Sequence, residues 1–195
     1  MEYLVTMTTR VPDGITAAQV ADVRAREAAQ SAELAARGQL LRLWRPPLRP
    51  GEWRSLGLFA AEDGDAVERV LASMPLRGWR TDEVTPLGPH QNDPGMPSSK
   101  EVPEFFTDFT VAPAAGTPAA DVDDARAREA VRARALAAAG KLRRLWALPG
   151  EGRALGLWQA HDDAEMREIV RTLPLDPYMT TEITPLTAHP SDPGY

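Results

Sequence analysis

The pentapeptide RAREA stands at Arg24–Ala28 and again at Arg126–Ala130. It belongs to a longer ungapped match, RAREAAQSAELAARGQLLRLW against RAREAVRARALAAAGKLRRLW. After Trp44 and Trp146 the first copy carries three extra residues; the register then holds to the end. SLGLFAAED pairs with ALGLWQAHD, and EVTPLGPHQNDPG with EITPLTAHPSDPG. Copies of about 95 residues are too long for a solenoid repeat and suit two small domains, or two halves of a pseudo-symmetric one. Whatever one copy folds into, the chain therefore contains it twice. The Pro- and Ser-rich stretch PHQNDPGMPSSKEVP reads as the joint. Units are expected over 1–95 and 104–195, with a linker over 96–103.

Each copy has the same order of elements. Tyr3–Thr9 and Phe105–Val111 read as strands. A helix is predicted from Ala17 to Arg37, stopped at Gly38, with Gly140 doing the same in the second copy. Leu40–Arg45 and Leu56–Ala60 read as strands, Asp63 caps a helix running to Ser73, and Thr81–Thr85 closes the unit as a strand. This β-α-β-β-α-β order predicts an α+β chain of two ferredoxin-like units. One such unit leaves a sheet face open. Two can cover each other as packed antiparallel sheets or a barrel, an intrachain pseudo-dimer made obligatory by the short linker.

Composition narrows the function. A formal charge of −6 argues against nucleic-acid and anionic-membrane partners. The absence of cysteine excludes disulfides and thiolate chemistry. His90, His161 and His189 do not cluster, so no metal site is expected. No apolar run approaches the ~18 residues of a membrane span, and MEYLVTMTTR is not a signal peptide. The expectation is a soluble cytoplasmic protein acting on a small molecule.

On the first helix, at 100° per residue, Val20, Val23, Leu34 and Ala35 share a side with Arg24, Glu27 and Ser31. Asp22, Arg26, Glu33 and Arg37 fall opposite. In the second copy Val122, Leu136 and Ala137 flank Arg126 and Glu129, with Ala133 in place of Ser31. Each copy thus aims one Arg and one Glu at its own core. Three apart on a helix, they can form a structural ion pair locking helix to sheet. Equally, they can furnish a pocket with a base whose proton affinity is set by burial beside a cation.

In LLRLW, alternation puts Leu41 and Leu43 on one face and Arg42 and Trp44 on the other. Arg144 and Trp146 repeat that face, and Arg143 replaces Leu41. Arg can grip a carboxylate in a fork and indole gives a flat apolar wall, or Trp44 and Trp146 are interface core and Arg42 and Arg144 its solvated rim. His90 and His189 each follow a strand and precede NDPG and SDPG, where a turn role competes with a catalytic one. His161 lacks a histidine counterpart and is set aside.

These residues carry a resemblance. Each copy resembles the muconolactone Δ-isomerase family: VTMT, Glu27, Gly38, RLWR at Arg42–Arg45 and MPL at Met74 in the first, and Glu129, RRLW, LPLDPYM at Leu173–Met179 and HPSDP at His189 in the second. The resemblance covers nearly the whole chain twice, through order and spacing. It implies a cofactor-free, metal-free isomerase that shifts a proton between carbons of an unsaturated lactone. Glu27 and Glu129 would be the bases, Arg24 and Arg126 would hold developing charge, Arg42 and Arg144 the substrate carboxylate, Trp44 and Trp146 the ring, with His90 and His189 completing the substrate-binding set. Family members resemble a single copy and assemble from separate subunits, so the fusion forms a pseudo-dimer and leaves a higher homo-oligomer open. Fusion also frees the halves from symmetry: Thr6 faces Asp108, Ser31 faces Ala133, and PLRGWRTDEV faces PLDPYMTTEI. Two alternatives stay open, a cofactor-independent cyclase or oxygenase of natural-product biosynthesis on the same scaffold, and a non-catalytic binding protein.

Overall fold

The computed structural model describes residues 1–99 and 101–194. It contains eight strands and four α-helices in two β-α-β-β-α-β halves. The first half runs β1 (Glu2–Thr9), α1 (Ala17–Ala36), β2 (Leu40–Arg45), β3 (Arg54–Ala60), α2 (Gly64–Ala72) and β4 (Arg80–Pro89). The second runs β5 (Glu104–Val111), α3 (Ala119–Ala138), β6 (Leu142–Ala147), β7 (Arg153–Gln159), α4 (Asp163–Arg171) and β8 (Met179–Ala188). A 3-10 turn precedes the last strand of each, at Pro75–Trp79 and Asp176–Tyr178. No helix among the described residues is long and apolar enough to cross a membrane.

Two compact units result, one of Met1–Leu87 with Thr187–Gly194, the other of Gly88–Leu186. They are not quite the sequence repeats, because the tail of each repeat packs in the unit named for the other. In the first unit β1 lies between β3 and β4, both antiparallel, and β2 pairs with β3 on one edge and with Thr187 and Ala188 on the other. In the second, β5 lies between β7 and β8, and β6 pairs with β7 and with Gly88 and Pro89. The last strand of each half is longer than its alternating core suggested: β4 starts at Arg80, paired with Thr9. The linker stretch is tied down in the second unit. The Arg143 backbone carbonyl accepts from the Met96 N–H at 3.0 Å, and the Gln159 side chain exchanges hydrogen bonds with the Ser99 backbone.

Local chemistry fixes the elements. Thr16 and Gln19 form a capping box on α1, and Asp63 and Asp162 cap α2 and α4 through N–H groups at 2.8 Å. Gly38 and Gly140 end the long helices at φ 68° and 72°, where a side chain would be strained. The helices bury one sheet face over a core that includes Val5, Leu34, Phe59 and Leu71 in the first unit, and Phe109, Leu136, Trp158 and Met166 in the second. Burial of one such large side chain stabilises by about 1.5–3 kcal/mol. Leu41 and Leu43 do not share the core-facing set as strict alternation required. A bulge between Leu40 and Arg42 shifts the register, so Leu40 joins Leu43 in the core and Leu41 is only half-buried. The second unit repeats the bulge between Leu142 and Arg144.

Candidate functional site

In the first unit, α1 carries Glu27 to the mouth of the 3-10 turn. The Leu76 N–H donates to Glu27 Oε2 at 2.8 Å, meeting one of the unsatisfied amides of that turn. Arg80, at the start of β4, donates to Glu27 Oε1 at 2.8 Å and to Asp82 at 2.7 Å. Arg80 and Asp82 sit two apart and point the same way, and their side chains are only 2% and 0% exposed, so one buried cation is shared by two carboxylates. Asp82 also holds Arg77. Glu27 lines a hollow of about 420 Å³ together with Arg24, Arg45, Trp53 and His189. Burial raises its proton affinity above the ordinary value, against the lowering effects of the Leu76 amide and then of Arg80.

In the second unit, the Leu175 N–H donates to Glu129 Oε2 at 3.0 Å. Met179 stands where Arg80 stands, and Thr181 where Asp82 stands. Glu129 lines a hollow of about 300 Å³ with His90, Phe109, Ala133, Trp158 and Met179. Burial again raises its proton affinity, opposed by the Leu175 amide and then by Arg132, which directs its own donors to Thr172 Oγ1.

Each hollow contains one histidine, contributed by the tail of the other repeat. His189 Nδ1 accepts from the Ser191 N–H at 3.1 Å, and His90 Nδ1 from the Asn92 N–H at 3.2 Å. An accepting Nδ1 carries no proton, so the neutral ring keeps its proton on Nε2. Burial holds both rings neutral. It pushes His189 down to about 4, helped by the charges of Arg45 and Arg24, and lowers His90 against the pull of Asp93.

The sequence-predicted residues divide cleanly. Glu27, Glu129, Arg24, Arg126, His90 and His189 all line the hollows. The helical Arg–Glu pairs do not form. Arg24 is exposed and lies 5.5 Å from the Trp53 ring centre, while Arg126 is exposed and bonds Asp123 at 3.1 Å, a turn back on its own helix. Arg42, Arg144, Trp44 and Trp146 line neither hollow. Arg42 forks onto Asp192 at 3.1 Å and stacks 4.7 Å over Trp44; Arg144 reaches Asp93 at 3.3 Å and stacks 4.6 Å over Trp146. These arginines fasten the DPG turns: the same aspartates accept the Leu43 and Leu145 N–H groups at 2.8 Å. Alternation placed Arg42 and Trp44 opposite Leu43 correctly; what it did not tell is which face holds the hollow, and Leu43 and Leu145, on the helix side, line it instead. Sequence reasoning missed Arg80, Arg45 and Trp53. An Arg and an Asp two apart on a strand, R-T-D at Arg80–Asp82, was the available signal for the first.

The sequence model described as muconolactone delta-isomerase matches residues 1–93 and again 104–192. The chain is 39% identical over 69 residues to muconolactone Delta-isomerase 1 of Acinetobacter lwoffii, covering 35% of this chain and 72% of that protein. It is 38% identical over 74 residues to the muconolactone Delta-isomerase of Cupriavidus pinatubonensis, covering 38% and 80%. A chlorite dismutase variant from Candidatus Nitrospira defluvii superposes with a TM-score of 0.63 over 95% of this chain and 91% of that one, at 9% identity, a likeness of fold alone.

Proposed function

Because the chain belongs to the muconolactone Δ-isomerase family, we propose that it is an isomerase that moves a proton, and with it a double bond, within an unsaturated lactone or a related small cyclic compound, without a cofactor. The observation that carries this reading is the doubled arrangement of a half-buried carboxylate and an imidazole lining the same hollow. A Glu whose proton affinity is raised by burial is a stronger base than one in water, and its conjugate acid is still far more acidic than the carbon it serves, so a dienolate can take the proton back.

The step balances without a second reactant. The carboxylate of Glu27 or Glu129 takes the proton from the carbon next to the conjugated system. The electron pair spreads into the lactone carbonyl as a dienolate. The Nε2–H of His189 or His90 donates to the carbonyl oxygen as charge grows there. A neutral donor stabilises that oxygen without surrendering its proton outright. The protonated Glu then delivers the proton to the far carbon of the allyl system, and the double bond moves. The fixed amide of Leu76 or Leu175 holds the carboxylate in one orientation through both transfers.

Turnover of muconolactone by the wild-type chain, Glu27→Gln, Glu129→Gln and the double variant tests the proposal. The double variant is expected to lose about 10²–10⁴-fold in kcat while keeping the fold. Wild-type rates in the double variant would end the isomerase reading and leave a binding role.

A further inference from the structure

Five exchanges between the two hollows run in one chemical direction. Arg45 in the first corresponds to Ala147 in the second, Arg80 to Met179, Ser55 to Ala154, and Thr9 to Val111. Ser31, buried on α1, corresponds to Ala133. Each of these exchanges replaces a charged or hydroxyl-bearing side chain by an apolar one, whereas Pro190 against Gln91, and Arg153 at the wall of the second hollow alone, run the other way. Arg24 and Arg126 are the one cationic pair kept, yet Asp123 engages Arg126 whereas Arg24 faces Trp53, whose counterpart is Gly152. Arg24 and Arg45 line the first hollow together with His189, whose proton affinity their charges lower.

The consequences for a ligand are opposite. An anion entering the second hollow would lose water among Phe109, Trp158 and Met179, and the two arginines at its wall are already paired, Arg126 with Asp123 and Arg153 with Asp108 at 2.8 Å, an uphill transfer. An uncharged ring gains apolar contact there and still finds two polar handles, Glu129 and the Nε2–H of His90. In the first hollow a carboxylate meets Arg24 and Arg45, with the Trp53 indole as a wall. We propose that the second hollow is a binding site for an uncharged, apolar ring compound, chemically distinct from the carboxylate-bearing ligand that Arg24 and Arg45 equip the first to take. The inference concerns binding and goes beyond the proton shift, holding whichever hollow turns over.

Each hollow contains its own reporter, the indole of Trp53 in the first and of Trp158 in the second. The full chain, labelled with ¹⁵N, is titrated with coumarin, a neutral lactone, and with coumarin-3-carboxylate. Coumarin is expected to shift the Trp158 indole resonance at lower concentration than that of Trp53, and the carboxylate probe to reverse the order. Arg24→Gln with Arg45→Ala is expected to weaken the carboxylate probe about tenfold and leave coumarin unchanged. Ala147→Arg is expected to weaken coumarin at Trp158 and admit the carboxylate probe. Coumarin shifting both indoles at one concentration, favouring Trp53, or shifting neither would overturn the assignment. So would a carboxylate probe that prefers the Trp158 site. Because binding is read directly, loss of isomerase turnover in the same preparation would leave these outcomes intact.

Discussion

Glu27 and Glu129 occupy the same helical position, accept the same backbone amide, and face the same kind of imidazole, yet their second oxygens meet different surroundings. Glu27 shares the buried Arg80 with Asp82. Glu129 has Met179 and Thr181 at the corresponding places. The repeat therefore separates what the scaffold needs from what a site can change. The helix cap glycines, the strand bulge, the amide grip on Glu and the Nδ1-anchored histidine are present in both units. The cations vary. Raised proton affinity survives the change because burial is its leading cause in both hollows, and the guanidinium in the first only moderates it.

The sharpest way to break this comparison is to give the first unit the second unit's residue. Arg80→Met leaves Glu27 and the fully buried Asp82 without their shared cation and is expected to cost about 3–5 kcal/mol in urea unfolding. Adding Asp82→Thr completes the exchange and is expected to recover most of that loss. An unchanged unfolding midpoint for Arg80→Met alone would show that the cation is not holding the carboxylates.

A smaller effect separates the two DPG turns. Arg42 and Asp192 have side chains 9% and 7% exposed, against 23% and 21% for Arg144 and Asp93. Asp192→Asn is expected to cost about 3 kcal/mol and Asp93→Asn about 1 kcal/mol, since solvent screens the second pair more. Thermal melts giving equal losses would erase the distinction.

A further effect is one of pH. The folded state holds His189 at about 4, below its ordinary 6.5, so folding favours its neutral form. That stabilisation is complete above 6.5 and is lost as pH falls through about 4. The raised carboxylates act in the opposite sense: their contribution is complete below 4.5 and is lost as pH rises through their raised values. His189→Asn, neutral throughout, is expected to flatten the rise in stability between pH 4 and 6.5. A variant with the wild-type slope in that window would contradict the burial of His189.

Much of this was legible in the sequence. The repeat, the element order and the Gly38 and Asp63 caps follow from local rules that tertiary packing did not override. Glu27 and Glu129 were found because helical period alone places them on the core-facing side. Arg42 and Trp44 were grouped correctly but put on the wrong side of the sheet for the site: alternation separates the two faces of LLRLW without saying which of them the helix covers, and the hollow lies on the Leu43 side. Arg80 escaped for a different reason. It is 53 positions from Glu27, and only the docking of β4 against β1 brings it under the helix. The aspartates of NDPG and SDPG read as turn formers, which they are, but their arginine partners lie in the unit named for the other repeat.

In the proton-shuttle reading, each unit keeps a carboxylate dry enough to hold a proton beyond its normal range. Site-resolved ¹³C NMR titration of the Glu27 and Glu129 carboxyl carbons tests it directly. Both are expected to titrate above 4.5, the ordinary glutamate value. Midpoints at or below 4.5 for both would mean that the two side chains are solvated, and the proton-shuttle account would fall with them.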